Sequence, residues 1–122
     1  MRRSRPADGS KPHVFHILLA LAERDQHGLD IMRDVLERTD GQVHLWPAAL
    51  YGTLRELVEA GLVEERAQPR GAFPGGGRPR YYHITAAGRA ACAAEAQRMA
   101  AHVRTARLRK VLTSSPRARS SS

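Results

Sequence analysis

Apolar residues recur at helical spacing in several separate stretches of this chain. Val14, Ile17, Leu18 and Leu21 repeat every three or four positions. Ser10 as a cap ahead of Lys11-Pro12 then predicts a first helix ending near Glu23. Phe15, Leu19 and Ala22 form a second apolar stripe on the same helix, which should therefore be covered on two sides, the second by a partner subunit. Asp25 to Gly28 reads as a turn, and Leu29, Met32, Val35 and Leu36 mark a second amphipathic helix that stops at Asp40-Gly41. Gln42 to Leu45 is a short extended piece with Val43 and Leu45 on one side. Pro47 opens a third helix, running to Ala60, whose buried stripe is Leu50, Leu54, Leu57 and Val58. Gly61 stands where a left-handed C-cap belongs.

The period then changes. Leu62 to Arg66 and Arg80 to Ile84 read as two strands joined by a Pro/Gly/Arg-rich connection, residues 67–79, that is, a β-hairpin with a long tip. Thr85 can cap a final Ala-rich helix reaching about Leu112. At about 1.5 Å per residue that helix is about 40 Å long, too long to bury within so small a domain. Cys92, Ala96, Met99, Val103 and Ala106 alternate spacings of four and three along it, the seam of a helix–helix contact. A dimer interface formed by Phe15 and Leu19 with that seam is one reading; an alanine-rich helix folded back on its own domain is the other. The expected fold is mainly α with a small β-hairpin: a winged helix-turn-helix at residues 11–85 and one long C-terminal dimerisation helix at 86–112. Ser/Arg/Pro-rich segments at 1–10 and 113–122 read as flexible tails.

Charge sharpens this picture more by its placement than by its net value of +8. Glu23 to Glu65 holds ten acids and four arginines, whereas residues 66–80 carry Arg66, Arg70, Arg78 and Arg80 and no acid, and none follows Glu95. A basic, glycine-rich loop between two strands is the footprint of a phosphate-binding surface. The longest nearly apolar run, Val14 to Ala22, falls far short of a membrane span. With no leader-like cleavage site and a single cysteine, Cys92, the expectation is a cytoplasmic protein of one domain.

Opposite its leucine stripe the third helix would expose Ala48, Ala49, Tyr51, Gly52 and Arg55, small residues that let a backbone approach a groove wall. Tyr51 can donate its hydroxyl to a phosphate and Arg55 can reach a phosphate or a base edge. Gly75, Gly76 and Gly77 leave the hairpin tip free to carry Arg70, Arg78 and Arg80 to an adjacent minor groove or along the DNA backbone. No Gly-Lys-Ser/Thr follows those glycines, which argues against a nucleotide loop. His13 and His16 share a helix face but lack a third ligand nearby in sequence, so no metal site is expected, and no cofactor. Cys92 reads as a buried structural thiol, with a redox sensor at the dimer seam as the alternative. No nucleophile–base or paired-carboxylate arrangement is recognisable, so an enzyme is not expected.

Two segments together carry a family resemblance. They are Pro47-Ala-Ala-Leu-Tyr-Gly-Thr-Leu-Arg-Glu-Leu-Val-Glu-Ala-Gly-Leu-Val63 and Gly77-Arg-Pro-Arg-Tyr-Tyr-His-Ile-Thr-Ala-Ala-Gly88. In this order the chain resembles PadR transcriptional regulators over residues 12–112, and its single terminal helix resembles the short-tailed branch. The resemblance implies a winged-helix homodimer that binds a double-stranded DNA operator, usually as a repressor, often until a small molecule binds. Departures lie at the helix start, where Trp46 precedes Pro47 and Ala48-Ala49 follow in place of hydroxyl-bearing residues. Trp46 reads as a core residue, with a stacking surface near a ligand or DNA as the other reading. An apolar or aromatic effector would be lined by Phe15, Leu19, Met99 and Val103, with Trp46 as a neighbour. Two other functions fit the same residues: a non-specific nucleoid-type or RNA-binding protein, and a winged helix that pairs only with proteins.

Overall fold

The computed structural model describes residues 11–67 and 81–113. The elements run α1 (Pro12–Glu23), β1 (Gln26–His27), α2 (Gly28–Arg38), α3 (Pro47–Glu59), β2 (Val63–Arg66), β3 (Tyr81–Ile84) and α4 (Ala86–Leu108). Three helices and a small antiparallel sheet make a winged helix, and α4 follows the sheet. The expected Ser10 cap lies outside the described residues; Lys11 occupies the cap position, with extended backbone and no side-chain hydrogen bond. Arg70, Arg78, Arg80 and the glycine-rich tip also lie outside them, as do 1–10 and most of the C-terminal tail.

The sheet order is β1-β3-β2, with Gln26 opposite Tyr82 and Val63 opposite Ile84. The segment read as a plain turn after α1 is thus a third strand. Two residues are too few to show an alternation, and the inward one, Gln26, is polar. Its amide donates to the Ala20 carbonyl at 2.7 Å, which meets the hydrogen-bonding need of a buried side chain.

Leucine and isoleucine side chains from three helices form the core. Ile17, Leu18 and Leu21 of α1 meet Ile31 and Val35 of α2 and Leu50, Leu54 and Leu57 of α3, with Val63, Tyr82 and Ile84 closing it from the sheet. The first stripe of α1 and the leucines of α3 agree with the sequence pattern, whereas Phe15, expected to face a partner, lies in the chain's own core and Val58 is only partly buried. The stripe of α2 is rotated: Gly28, Ile31 and Val35 face inward, while Leu29 is 62% exposed. Tyr51 of α3 lies over Gly28; a methyl group there would overlap the phenol oxygen and lie 2.6 Å from Cζ. Gly28 thus packs directly against that ring.

Three helices end in the same way, with a left-handed residue whose amide, and the next, bond back to the last turn. After α3 it is Gly61, φ +79°, with Gly61 N–H to Val58 O and Leu62 N–H to Leu57 O. Asp40 does this after α2 and Lys110 after α4, which is why α4 stops at Leu108 rather than near Leu112. Thr85 caps α4 by accepting from Gly88 N–H at 3.0 Å while its hydroxyl donates to Gly61 O at 2.8 Å. Gly88 in turn lies so close to the Leu62 carbonyl that a side chain there would collide with backbone. The Thr85-Ala-Ala-Gly88 segment therefore fastens α4 to the end of α3.

Beyond that clasp α4 leaves the domain. Gly88, Cys92 and Glu95 are its buried residues, and from Ala96 on its side chains are exposed or partly exposed. Arg89 donates to Ala22 O at 3.1 Å, and Arg38 of α2 donates to His16 O at 3.0 Å, so two guanidinium groups tie the carbonyls of α1 to its neighbours.

Candidate nucleic-acid interface

The sequence of α3 separates inward from outward residues along a single face. Leu50, Leu54 and Leu57 are buried, and Ala48, Gly52 and Arg55, spaced four and three apart, point the other way. Ala48, Ala49 and Arg55 are exposed and Gly52 is partly so; a methyl group built at Gly52 meets nothing within 4 Å. Charge is graded along this face: Arg55 follows two small residues, and the acids Glu56 and Glu59 come only in the second half. The N-terminal half is thus the end an anionic groove would accept. Trp46 takes the cap position without a side-chain capping bond, and Pro47 contributes no N–H.

Tyr51 serves inside the chain as well as at its surface. Its ring covers Gly28 at the start of α2, leaving the residue 37% exposed beside Arg55. Tyr51, Leu54, Arg55 and Val58 form one wall of a cleft of about 290 Å³ whose other wall is Glu65 and Tyr82 of the sheet. α3 and the sheet therefore share one recess.

The base of the wing is an ion cluster the sequence did not announce. His83 Nδ1 lies 2.8 Å from Asp25 Oδ1, and Arg66 Nη1 lies 3.8 Å from Asp25 Oδ2 while Nη2 donates to Glu64 at 3.1 Å. Arg66 belongs by sequence to the basic run, yet its guanidinium is engaged by two acids, so it adds less free charge to the wing than the pattern implied. Fifty-eight positions separate Asp25 from His83, and no local spacing rule could pair them.

Trp46 is not in the core. It is 64% exposed and stacks on His44, ring centroids 4.0 Å apart and planes 16° from parallel, because the extended backbone sends Leu45 inward and its two neighbours outward. That i, i+2 relation was the available signal for His44. Residues assigned to the dimer seam and effector lining divide between inside and outside. Phe15 and Cys92 are buried within the chain's own core, whereas Leu19, Ala96, Met99 and Val103 are exposed and Ala106 is intermediate. Burial pushes the Cys92 thiol up, and the Arg38 and Arg89 charges only partly offset this. The group stays a protonated thiol, the unreactive form. Among the described residues no cluster of His, Cys, Asp and Glu could hold a metal ion, and no helix is long and apolar enough to cross a membrane.

Known proteins share this arrangement. The fold superposes on a PadR family transcription regulator from Clostridium difficile with a TM-score of 0.67 at 18% identity, covering 84% of this chain and 100% of that one. The corresponding values for a PadR-like regulator from Bacillus cereus are 0.65, 19%, 84% and 92%. The structure of Bacillus subtilis PadR in complex with operator DNA matches with a TM-score of 0.55 at 20% identity, over 65% of this chain and 43% of that one. In sequence, an uncharacterized protein from Lysinibacillus sphaericus is 29% identical over 85 residues, 69% of this chain and 75% of its own length. The match to the PadR-like transcriptional regulator family extends from residue 17, within α1, to residue 94 in α4, taking in α2, α3 and the sheet, and the chain belongs to that family.

Proposed function

We propose that this PadR-like regulator binds double-stranded DNA sequence-specifically as a homodimer and represses by occupying its operator. The observation that carries the reading is the outward face of α3: Ala48, Ala49, Gly52 and Arg55 offer a small, uncluttered surface at the N-terminal half, with acids held back to the second half. Arg70, Arg78 and Arg80 of the wing add affinity through the backbone, and Tyr51 sets the angle of α3 against α2. The operator complex of the Bacillus subtilis relative supports the same use of the fold. Dimerisation is supported by α4, which leaves the domain with Met99 and Val103 each 39% exposed alongside Leu19. An apolar or aromatic effector entering between α4 and α1 would alter the separation of the two recognition helices. It would release DNA only by binding the DNA-free state more tightly.

Duplex binding measured at several salt concentrations tests this reading. Arg78→Ala with Arg80→Ala weakens binding to every sequence and flattens the salt dependence by about one unit of slope per lost phosphate contact. Arg55→Ala reduces the preference for the best site. Absence of retention at about 0.15 M salt would turn the reading toward a protein–protein module. Retention without sequence preference would turn it toward a non-specific binder.

A further inference from the structure

From the pair that brackets Leu45 we infer that His44 and Trp46 form an aromatic plate resting on the DNA backbone beside the N-terminal end of α3. The inference builds on the DNA-binding reading above and adds a contact to it. Leu45 is buried and pins the segment to the core, and alternation puts His44 and Trp46 together on the outside. The backbone of Trp46 is fixed too: its carbonyl accepts from Leu50 N–H at 2.8 Å, and Pro47 follows as the first helical residue. His44 covers one indole face and leaves the other open. Among the described residues the indole Nε1–H has no hydrogen-bond acceptor. A large aromatic surface held still in water loses little side-chain freedom on binding.

The position decides what the plate meets. Trp46 is the residue that precedes α3, two and three positions before the exposed Ala48 and Ala49, at the end of the helix that the DNA-binding reading places nearest a duplex. Duplex DNA offers there the apolar edge of a deoxyribose for the open indole face and a phosphate oxygen for Nε1–H. Because the indole is neutral, this contact releases no counterion. That separates it from an arginine contact and from a merely general attraction.

Trp46 is the chain's single tryptophan, so its emission reports on this spot alone. Duplex DNA is titrated into the wild-type protein while binding is followed in parallel by mobility shift. Indole emission is expected to change in step with binding, and the indole to become shielded from acrylamide. Trp46→Ala is expected to lower affinity about tenfold with an unchanged salt slope, Trp46→Phe to recover part of the loss, and His44→Ala to fall between them. Thermal melting of Trp46→Ala should match wild type, since the side chain lies mostly in solvent. Shifted DNA with an indole that stays fully accessible, together with wild-type affinity in Trp46→Ala, would overturn the plate but not the DNA-binding reading. A response to aromatic compounds but not to DNA would overturn it in favour of an effector role, and a wild-type protein retaining no duplex would overturn both.

Discussion

Gly52 lies in the middle of a helix, where glycine costs up to about 1 kcal/mol relative to alanine. Nothing inside the protein explains it, since a methyl group there meets no atom within 4 Å. The contrast is with Gly88, where the Leu62 backbone carbonyl leaves no room, and with Gly28, where a side chain would have to displace the Tyr51 ring. Gly52→Ala should therefore raise stability by several tenths of a kcal/mol in urea unfolding while weakening duplex binding, because the added methyl stands on the face of α3 proposed to meet the groove. A variant that is stabilised and binds DNA as before would show that the outward face at Gly52 does not approach DNA. Tyr51 shows the opposite economy: one side chain packs against Gly28 of α2 and borders the recess beside Arg55.

At the scale of elements, the joint between α1 and α2 carries a titratable group. Arg38, held by Asp34 at 2.9 Å, donates to His16 O and points its Nη1 at His16 Nδ1, 3.4 Å away. Burial first, then the charges of Arg38 and His13, hold the His16 pKa below its ordinary value near 6.5. The unfolded chain therefore binds this proton more readily than the folded one. The His16 contribution to stability is complete above that ordinary value and is lost as pH falls through it toward the depressed folded value. Urea midpoints measured across that range should fall with acidification in wild type, and less steeply in His16→Gln; equal slopes would mean that His16 titrates as it does in the unfolded chain. Periodicity made α1, α3, the hairpin strands and α4 legible in the sequence, because each has a dominant apolar stripe or a cap such as Thr85. It missed β1, which is two residues long, and it misphased α2, whose inward face begins with a glycine. The outward residues of α3 were legible as the complement of its leucines, whereas the Asp25–His83–Arg66 cluster and the His44–Trp46 stack depend on contacts that no helical or strand period encodes.

The whole molecule is a compact winged helix with a projecting arm. Only the root of α4 shares the core, and the rest presents Met99, Val103 and, farther out, Leu108 to solvent. Met99→Glu with Val103→Glu should yield monomers or aggregates by light scattering, since a two-fold seam would bring four new carboxylates together; a well-folded dimer would place the interface elsewhere. In the proposed dimer two copies of α3 related by a two-fold axis would need two half-sites in inverted orientation. The most direct measurement is selection of bound duplexes from a randomised library at physiological salt, followed by sequencing. Recovered sequences should share an inverted repeat with half-site centres about one helical turn, roughly 34 Å, apart, and Arg55→Ala should weaken that enrichment. Recovery of sequences without a common repeat, or of none above background, would contradict this reading.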